Sequence, residues 1–509
     1  MGGRPEPGGT RWGALARASR ELGALFEEVA DVDWRDPRFT AFVRAIALSE
    51  ALSRRDLDAA KAADAFVSAL AANSSMSADT FMAVDVAPTP KDPRRLAAHA
   101  ATRARAVAGA LRTLDRVAPD QRLLQAAELD RGWIRMRDLD EPRVRIAFVH
   151  HGRAYTATVD PDADDDRLER ALRDVLEGRV PHALLSPVDE RGADPTPAAA
   201  AVALEPVSLT WARSFHRLAW TRGGGPWMGV ADCPPYAVVS TCHAAIDGYL
   251  HARVTSAVLE SSEQVAFGGE RRPLPLGEPE RAPAPPMVGF ATARLELPTP
   301  SFATALHAFG EVLERRLGRP DPERTRSVPF HVPIAPGHRT DSARWRRRPL
   351  YGLLALTMDR GELEPLDRLR ERLPGFLARE AEGRGVLTRV LRSFLELPLP
   401  ERARHALIMR QSWADRWVPP AQVLTGGGYF SWMRFAQVEL PQLPTYPSAV
   451  PSFAADRGGA GLSIAQFADG IAVGLTTGGS LGTTREAESF LDEWRGYLDT
   501  HHREAARIA

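Results

Sequence analysis

The feature that most limits how this 509-residue chain can fold is a unit that occurs twice. The stretches "VVSTCHAAIDG" (Val238–Gly248) and "AVGLTTGGSLG" (Ala472–Gly482) lie 234 positions apart, 238 against 472. In each, an apolar β-run enters a loop that ends in glycine and continues into a segment of helical spacing. The pattern predicts two lobes of one α/β fold. The first copy carries His243, Asp247 and Gly248 in its loop, and the second carries Thr477, Leu481 and Gly482 opposite them. Loop chemistry is therefore expected in the first lobe only.

The order of elements around the two units supports duplication. Before the first unit, "DTFMAVDVAP" reads as a strand and the Ala/Arg-rich run from about Arg94 to Thr113 as a helix. "GWIRM", "VRIAFV" and "AYTATV" read as strands, the last two joined by a turn at His151 and Gly152. A helix over "DDRLERALRDVLEG" and a strand over "SLTWARSFHRLAW" lead to the motif. After it, strand "GFATARLEL", helix "SFATALHAFGEVLERRLG" and strands "SVPFHVPI" and "LYGLLALTM" begin the order again. Two helical stretches between Leu363 and Arg410 follow, then strands "GGYFSWMRFAQVEL", "AGLSIAQFA" and "GIAVGLTTGG", and a terminal helix, "TREAESFLDEWRGYL". Residues 1–75 read as a helical N-terminal extension, with Trp12, Leu15, Leu22, Phe26 and Val29 on one face. Residues 76–265 form the first lobe, the Pro/Gly-rich 266–286 a linker, and 287–509 the second lobe.

Composition excludes several function classes. Lys+Arg and Asp+Glu are both 65, so no basic field exists to hold nucleic acid or an anionic membrane. The start, "MGGRPEPGGT", has no apolar h-region, and no run reaches membrane-spanning length, so cytoplasmic residence and no integral membrane segment are expected. The only lysines are Lys61 and Lys91. Neither follows a Gly-rich loop, which excludes a phosphate-cradling P-loop, and neither suits a Schiff base or a lipoyl carrier. Cys233 and Cys242 are too few for a zinc site and read as reduced, partly buried thiols.

His243 and Asp247 stand where the chain leaves a strand and enters a helix. A histidine there can take a proton from an alcohol, amine or thiol as it attacks an electrophile. Asp247, on the far side of the loop, suits an ion pair with an arginine that holds the loop in shape. Gly248 lets the backbone turn into the helix. His150 and His151 have no aspartate at the right spacing and read as exposed residues of a hairpin turn. The Gly runs 223–225 and 426–428 read as turns, and Trp211 and Trp220 as core.

His-x-x-x-Asp-Gly, with a strand before and a helix after, resembles the active-site segment of the coenzyme A-dependent acyltransferase superfamily. That superfamily includes chloramphenicol acetyltransferases, peptide-synthetase condensation domains and wax-ester-synthase-like enzymes. The resemblance centres on residues 236–260 and extends as an order of elements over about 79–505. It implies an α/β, two-lobed chloramphenicol acetyltransferase-like fold and His243 as general base. "ALRTLD" (Ala110–Asp115) is similar to a Leu-Arg-Thr segment whose arginine pairs with the motif aspartate, which makes Arg112 the candidate partner of Asp247. "FSWMRF" (Phe430–Phe435) is similar to a Trp-x-x-Phe stretch preceded by an oxyanion-steadying hydroxyl. Gly428 stands at the position of that hydroxyl, so Thr425 and Ser431 are the nearest candidate donors. Cys242 stands where condensation domains usually have a second histidine.

The activity expected from the resemblance is transfer of an acyl group from acyl-CoA or an acyl-carrier protein thioester to a small-molecule hydroxyl or amine. The thioester is a co-substrate, and no permanently bound cofactor or metal is expected. The rival reading is a non-catalytic, condensation-like binding or scaffold protein that keeps the fold. A dehydrogenase-complex acyltransferase would need a lipoyl lysine.

Overall fold

A computed structural model of the chain describes residues 80–85, 92–117, 123–130, 133–139, 143–163, 166–179, 184–188, 197–221, 224–242, 245–246, 248–260, 288–296, 299–317, 326–334, 350–359, 362–381, 428–434, 445–449, 460–478 and 481–508. The expected N-terminal extension, the linker at 266–286 and the second of the two helical stretches before Arg410 lie outside them.

The first half runs β1 (Thr80–Asp85), α1 (Pro93–Val117), β2 (Gln125–Asp130), β3 (Trp133–Asp138), β4 (Val144–His150), β5 (Arg153–Val159), α2 (Arg167–Leu176), β6 (Ser186–Pro187) and β7 (Ala200–Ala203). It continues through α3 (Leu209–Ala212), a 3₁₀ turn (Phe215–Ala219), β8 (Gly224–Gly225), β9 (Met228–Cys233), β10 (Tyr236–Thr241) and α4 (Gly248–Glu260). The second half runs β11 (Val288–Glu296), α5 (Phe302–Leu317), β12 (Arg326–Ile334), β13 (Leu350–Asp359), β14 (Glu362–Leu363) and α6 (Leu366–Ala381). It ends with β15 (Gly428–Arg434), β16 (Thr445–Ala449), β17 (Ala460–Gln466), β18 (Gly470–Gly478) and α7 (Thr484–Ile508).

Local chemistry accounts for the long helices. In α1, Pro93 occupies the first position and the Asp92 carboxylate accepts from Arg95 N–H at 3.1 Å. Its buried stripe, Ala97, Ala100, Ala104, Val107, Leu111 and Leu114, repeats every three to four residues. α7 opens on a capping box, Thr483-x-x-Glu486, with Glu486 N–H donating to Thr483 Oγ1 at 3.1 Å. It buries Ala487, Phe490, Leu491, Trp494 and Leu498.

The two halves repeat the same sheet. The first is ordered β1-β10-β9-β7-β4-β5-β6 and the second β11-β18-β17-β15-β12-β13-β14. Strand directions agree at every step: β9/β7 and β7/β4 are parallel, as are β17/β15 and β15/β12, and the other neighbours are antiparallel. Register agrees as well. Thr241 pairs with Met228 and Leu475 with Leu462, so the 234-residue offset holds on both strands of the hairpin. The chain is thus two lobes of one α/β fold. A small sheet, β3-β2-β8, flanks the first.

Each sheet has two unlike faces. Ala237, Val239, Ile146, Phe148 and Val230 face α1, α2 and α4 in the first core, while Ile471, Val473, Leu462 and Ile464 face α5 and α7 in the second. The opposite faces share a third cluster drawn from both lobes, including Phe81, Ala231 and Val238 with Phe290, Met433, Tyr446, Ala465 and Ala472. Phe81 and Phe290 meet edge-on at 5.2 Å, and Tyr236 Oη and Thr292 Oγ1 share a hydrogen bond of 2.9 Å.

One strand crosses between lobes. β16 pairs antiparallel with β1, from Thr80↔Ala449 to Val84↔Thr445, and so extends the first sheet to eight strands. It also lies across the second sheet, where a Cβ on Gly474 would stand 2.3 Å from the Pro447 carbonyl oxygen.

One expected element differs. "SLTWARSFHRLAW" is not a strand but α3 and the 3₁₀ turn. Its buried side chains, Trp211, Ala212, Arg213, Phe215, His216 and Ala219, include pairs three and four positions apart, the spacing of a helix rather than the alternation of a strand. The main-sheet strand before the β9–β10 hairpin is β7, which ends five positions before this segment begins.

Gly474→Ala tests the crossing strand. Backbone carbonyls cannot swing away as a side chain can, so the substitution should destabilise the protein by about 1–3 kcal/mol. An unchanged denaturant midpoint would mean that β16 does not rest on β18.

Candidate active site

β10 ends at Thr241, and the motif loop follows. His243 and Asp247 lie outside the described residues, as does Thr425. The described residues flank these positions closely. Cys242 is buried and its N–H donates to the Trp227 carbonyl at 2.7 Å. Ala245 N–H donates to the Cys242 carbonyl at 2.9 Å. Ala245 and Ile246 are buried, so the loop is anchored in the first core on both sides of position 244. Neither cysteine is in a disulfide, and both are buried, Cys233 so thoroughly that burial, with the nearby Asp232 charge, pushes its thiol up to about 12.

A second histidine, which the sequence reading passed over, sits beneath the loop. His251, on the first turns of α4, is fully buried. Its Nε2 donates to the Val239 carbonyl at 2.9 Å. A neutral ring then offers Nδ1 as acceptor to the hydroxyls of Thr80 and Thr241, each 3.2 Å away. Those hydroxyls also meet each other at 2.9 Å. The network joins β1, the end of β10 and α4 where the chain enters and leaves the loop. A lone histidine in "YLHARV" gives no sequence signal of this, because its partners lie up to 171 positions away.

The second lobe approaches the same loop. Gly248, first residue of α4, faces Met433 of β15: a Cβ there would stand 2.9 Å from the Met433 sulfur. Along β15, Phe430 and Trp432 pack into the second lobe's own core, while Met433 belongs to the shared cluster. Alternation therefore puts Tyr429, Ser431 and Met433 on the face turned to the first lobe. Ser431 stands two residues, about 6.6 Å of strand, from the Gly248 contact. It is buried beside Ser463 of β17. The Tyr429 side chain keeps some exposure, yet burial pushes its hydroxyl pKa well above the ordinary value, against a smaller opposing effect of its hydrogen bond to Ser431. Tyr429 therefore keeps its proton and remains a donor at neutral pH. It too was not singled out from sequence.

Arg112, expected beside Asp247, lies on α1 with Asp162 at 3.5 Å and Asp160 at 3.8 Å, a partly exposed pair of contacts after β5. Among described groups these two carboxylates are its partners. Thr477, opposite His243 in the repeat, is buried and its hydroxyl donates to the Leu481 carbonyl at 2.5 Å, closing the second lobe's loop on itself. Among the described residues no helix is long and apolar enough to cross a membrane.

His251→Ala would remove the partner of a buried carbonyl and of two threonine hydroxyls. A loss of about 1–3 kcal/mol is expected for the unsatisfied groups, read as a lowered unfolding midpoint. Wild-type stability would mean that the network does not hold the loop.

No family model matches this chain, and no curated protein matches it. Several solved structures do. The wax ester synthase/diacylglycerol acyltransferase from Marinobacter aquaeolei is 13% identical, with 84% of this chain and 94% of that one covered and a TM-score of 0.37. The starter condensation domain of rhizomide synthetase is 13% identical, covering 87% and 95%, with a TM-score of 0.35. The epimerization domain from the third module of tyrocidine synthetase B is 12% identical, covering 82% and 90%, with a TM-score of 0.32. Likenesses as loose as these leave the function to be argued from the chain's own residues.

Proposed function

We propose that the chain is an acyltransferase of the chloramphenicol acetyltransferase-like kind, moving an acyl group from acyl-CoA or an acyl-carrier thioester to a hydroxyl or amine. The observation that carries this reading is the approach of β15 to the start of α4, Met433 against Gly248. It brings a hydroxyl-bearing face of one lobe to Gly248, the last residue of the His-x-x-x-Asp-Gly segment of the other.

The chemistry divides between the lobes. His243, as general base, takes the proton of the acceptor O–H or N–H while the heteroatom attacks the thioester carbonyl. The carbonyl oxygen becomes an oxyanion and needs donors at about 3 Å. Ser431, with Tyr429 behind it, supplies O–H groups from the second lobe; Thr425 is the alternative donor. Collapse of the tetrahedral intermediate breaks the C–S bond, and the thiolate leaves with the proton held on His243. Asp247 acts as a structural anion that keeps the loop in shape through an arginine, with Arg112 the first choice. Gly248 gives β15 its close approach. The donor is a co-substrate, so no resident cofactor takes part.

Intact-mass and thiol-release assays against a panel of acyl-CoAs, each with small alcohols and amines, test the activity. His243→Ala should lower transfer by roughly 10²–10⁴-fold with the fold intact. Equal turnover in a folded variant would remove His243 from the mechanism. A wild-type protein that binds acyl-CoA without releasing thiol would favour the binding-protein reading. Asp247→Ala should lower stability and activity together, by about 3–5 kcal/mol for a buried pair. A stable but inactive variant would instead assign the carboxylate to the chemistry.

A further inference from the structure

The β4–β5 hairpin carries an arrangement unrelated to the motif loop. His150 closes β4 and pairs with Arg153, which leaves His151 and Gly152 as a two-residue turn. Both have positive φ, 47° and 72°, the type I′ geometry that suits the right-handed twist of a hairpin. Asn-Gly is the common choice there, because a non-glycine side chain at positive φ is otherwise disfavoured.

The carboxylate that meets it comes from another strand. β7 runs parallel to β4 with Ala203 beside Val149, and Leu204 N–H donates to the Val149 carbonyl at 3.0 Å. The next residue, Glu205, is thereby delivered to the hairpin tip. Its Oε1 accepts the His151 backbone N–H at 2.8 Å and lies 3.2 Å from His151 Nδ1. Its Oε2 lies 3.4 Å from His150 Nδ1. The two imidazoles are 4.1 Å apart at their centroids, tilted by 43°. The expectation that both histidines are exposed is corrected for His150, which is mostly buried, whereas His151 is exposed; no aspartate meets them, but Glu205, 54 positions from His151, does.

We propose that His150 Nδ1, His151 Nδ1 and a Glu205 carboxylate oxygen form a binding site for one divalent, imidazole-preferring metal ion of the zinc class. One donor atom from each residue lies within 4.8 Å of the others. Tetrahedral bonds of about 2.0–2.2 Å would bring such donors to roughly 3.4 Å apart; the imidazole nitrogens already stand 3.2 and 3.4 Å from the carboxylate, each from a different oxygen. Two nitrogens and one oxygen are the donor set of a three-ligand zinc site, whose fourth position takes water or an external ligand. The exposed side of His151 leaves that position open to solvent. β4 and β7 run opposite to β10, so this site lies at the end of the sheet away from the motif loop. It is a site separate from the proposed active centre.

The test is zinc titration of the full chain by calorimetry, with Co²⁺ as a visible-absorption probe of tetrahedral geometry. One equivalent should bind. His151→Asn keeps a residue suited to the turn while removing the imidazole, and Glu205→Gln keeps an acceptor for the His151 N–H. Each should weaken binding roughly tenfold or more and abolish the Co²⁺ band. X-ray absorption on the zinc-loaded wild type needs no variant and should show two imidazole nitrogens with oxygen. No stoichiometric binding, undiminished binding in both variants, or a shell without two imidazoles would each overturn the proposal.

Discussion

The ladder between β1 and β16 is the contact on which the rest depends. Without it, β1 would present an open edge of backbone N–H and C=O groups at the border of the first sheet. Thr445–Ala449 covers that edge, and in doing so commits a strand of the second half to the first half's sheet. The same strand lies on β18, where Gly474 has no side chain to keep the Pro447 carbonyl away. The lobes are therefore joined by backbone hydrogen bonds as well as by side-chain packing. β10 lies next to β1, one strand in from this seam. Its far end, where the motif loop begins, is thus held at a set distance from β15.

The faces that meet at the seam differ from those beneath the helices. The helix-covered faces bear Ile, Val, Leu and Phe, the apolar bulk that fills a core. On the shared side, the second sheet offers Ser431, Ser463, Ala465, Ala472, Gly474 and Thr476. Small side chains let backbone approach backbone, as β16 does. Buried hydroxyls need partners, as when Thr476 donates to the Gly461 carbonyl at 3.3 Å. The same side also carries Phe290 and Met433 in the cluster shared with the first lobe, so its hydroxyls stand among packed apolar contacts.

Most of the architecture was legible because strand and helix periods were clean on the helix-covered faces, and the 234-residue offset carried through both strands of a hairpin. The misread segment, "SLTWARSFHRLAW", holds apolar residues dense enough to fit either period, and burial against the sheet settles it as helix. β16 was invisible for a different reason: "TYPSA" is short and contains Pro447, which a central strand would not tolerate. At the edge of a sheet, a missing N–H costs nothing in the ladder. The His150–His151–Glu205 group was hidden by distance along the chain, since only the parallel pairing of β4 with β7 makes Glu205 a neighbour of the turn. His251 and Tyr429 had no motif to mark them; their roles come from what lies beside them in space.

The repeat also explains why neither lobe would serve alone in the proposed chemistry. Ala201 pairs with Gly229, and Ser431 pairs with Ser463; positions 229 and 463 are themselves 234 apart, so Ala201 is the first lobe's counterpart of Ser431. His243 has Thr477 as its counterpart, buried and bonded into its own loop. On that proposal the first lobe keeps the base, His243, and has only a methyl where the hydroxyl would be. The second keeps the hydroxyl and has closed the loop where a base would be. Two copies of one fold have diverged in complementary directions, and a reaction that needs both groups can occur only where they meet. That places the functional constraint on the seam, and makes the crossing strand, remote from any reacting atom, the element whose loss would separate base from donor.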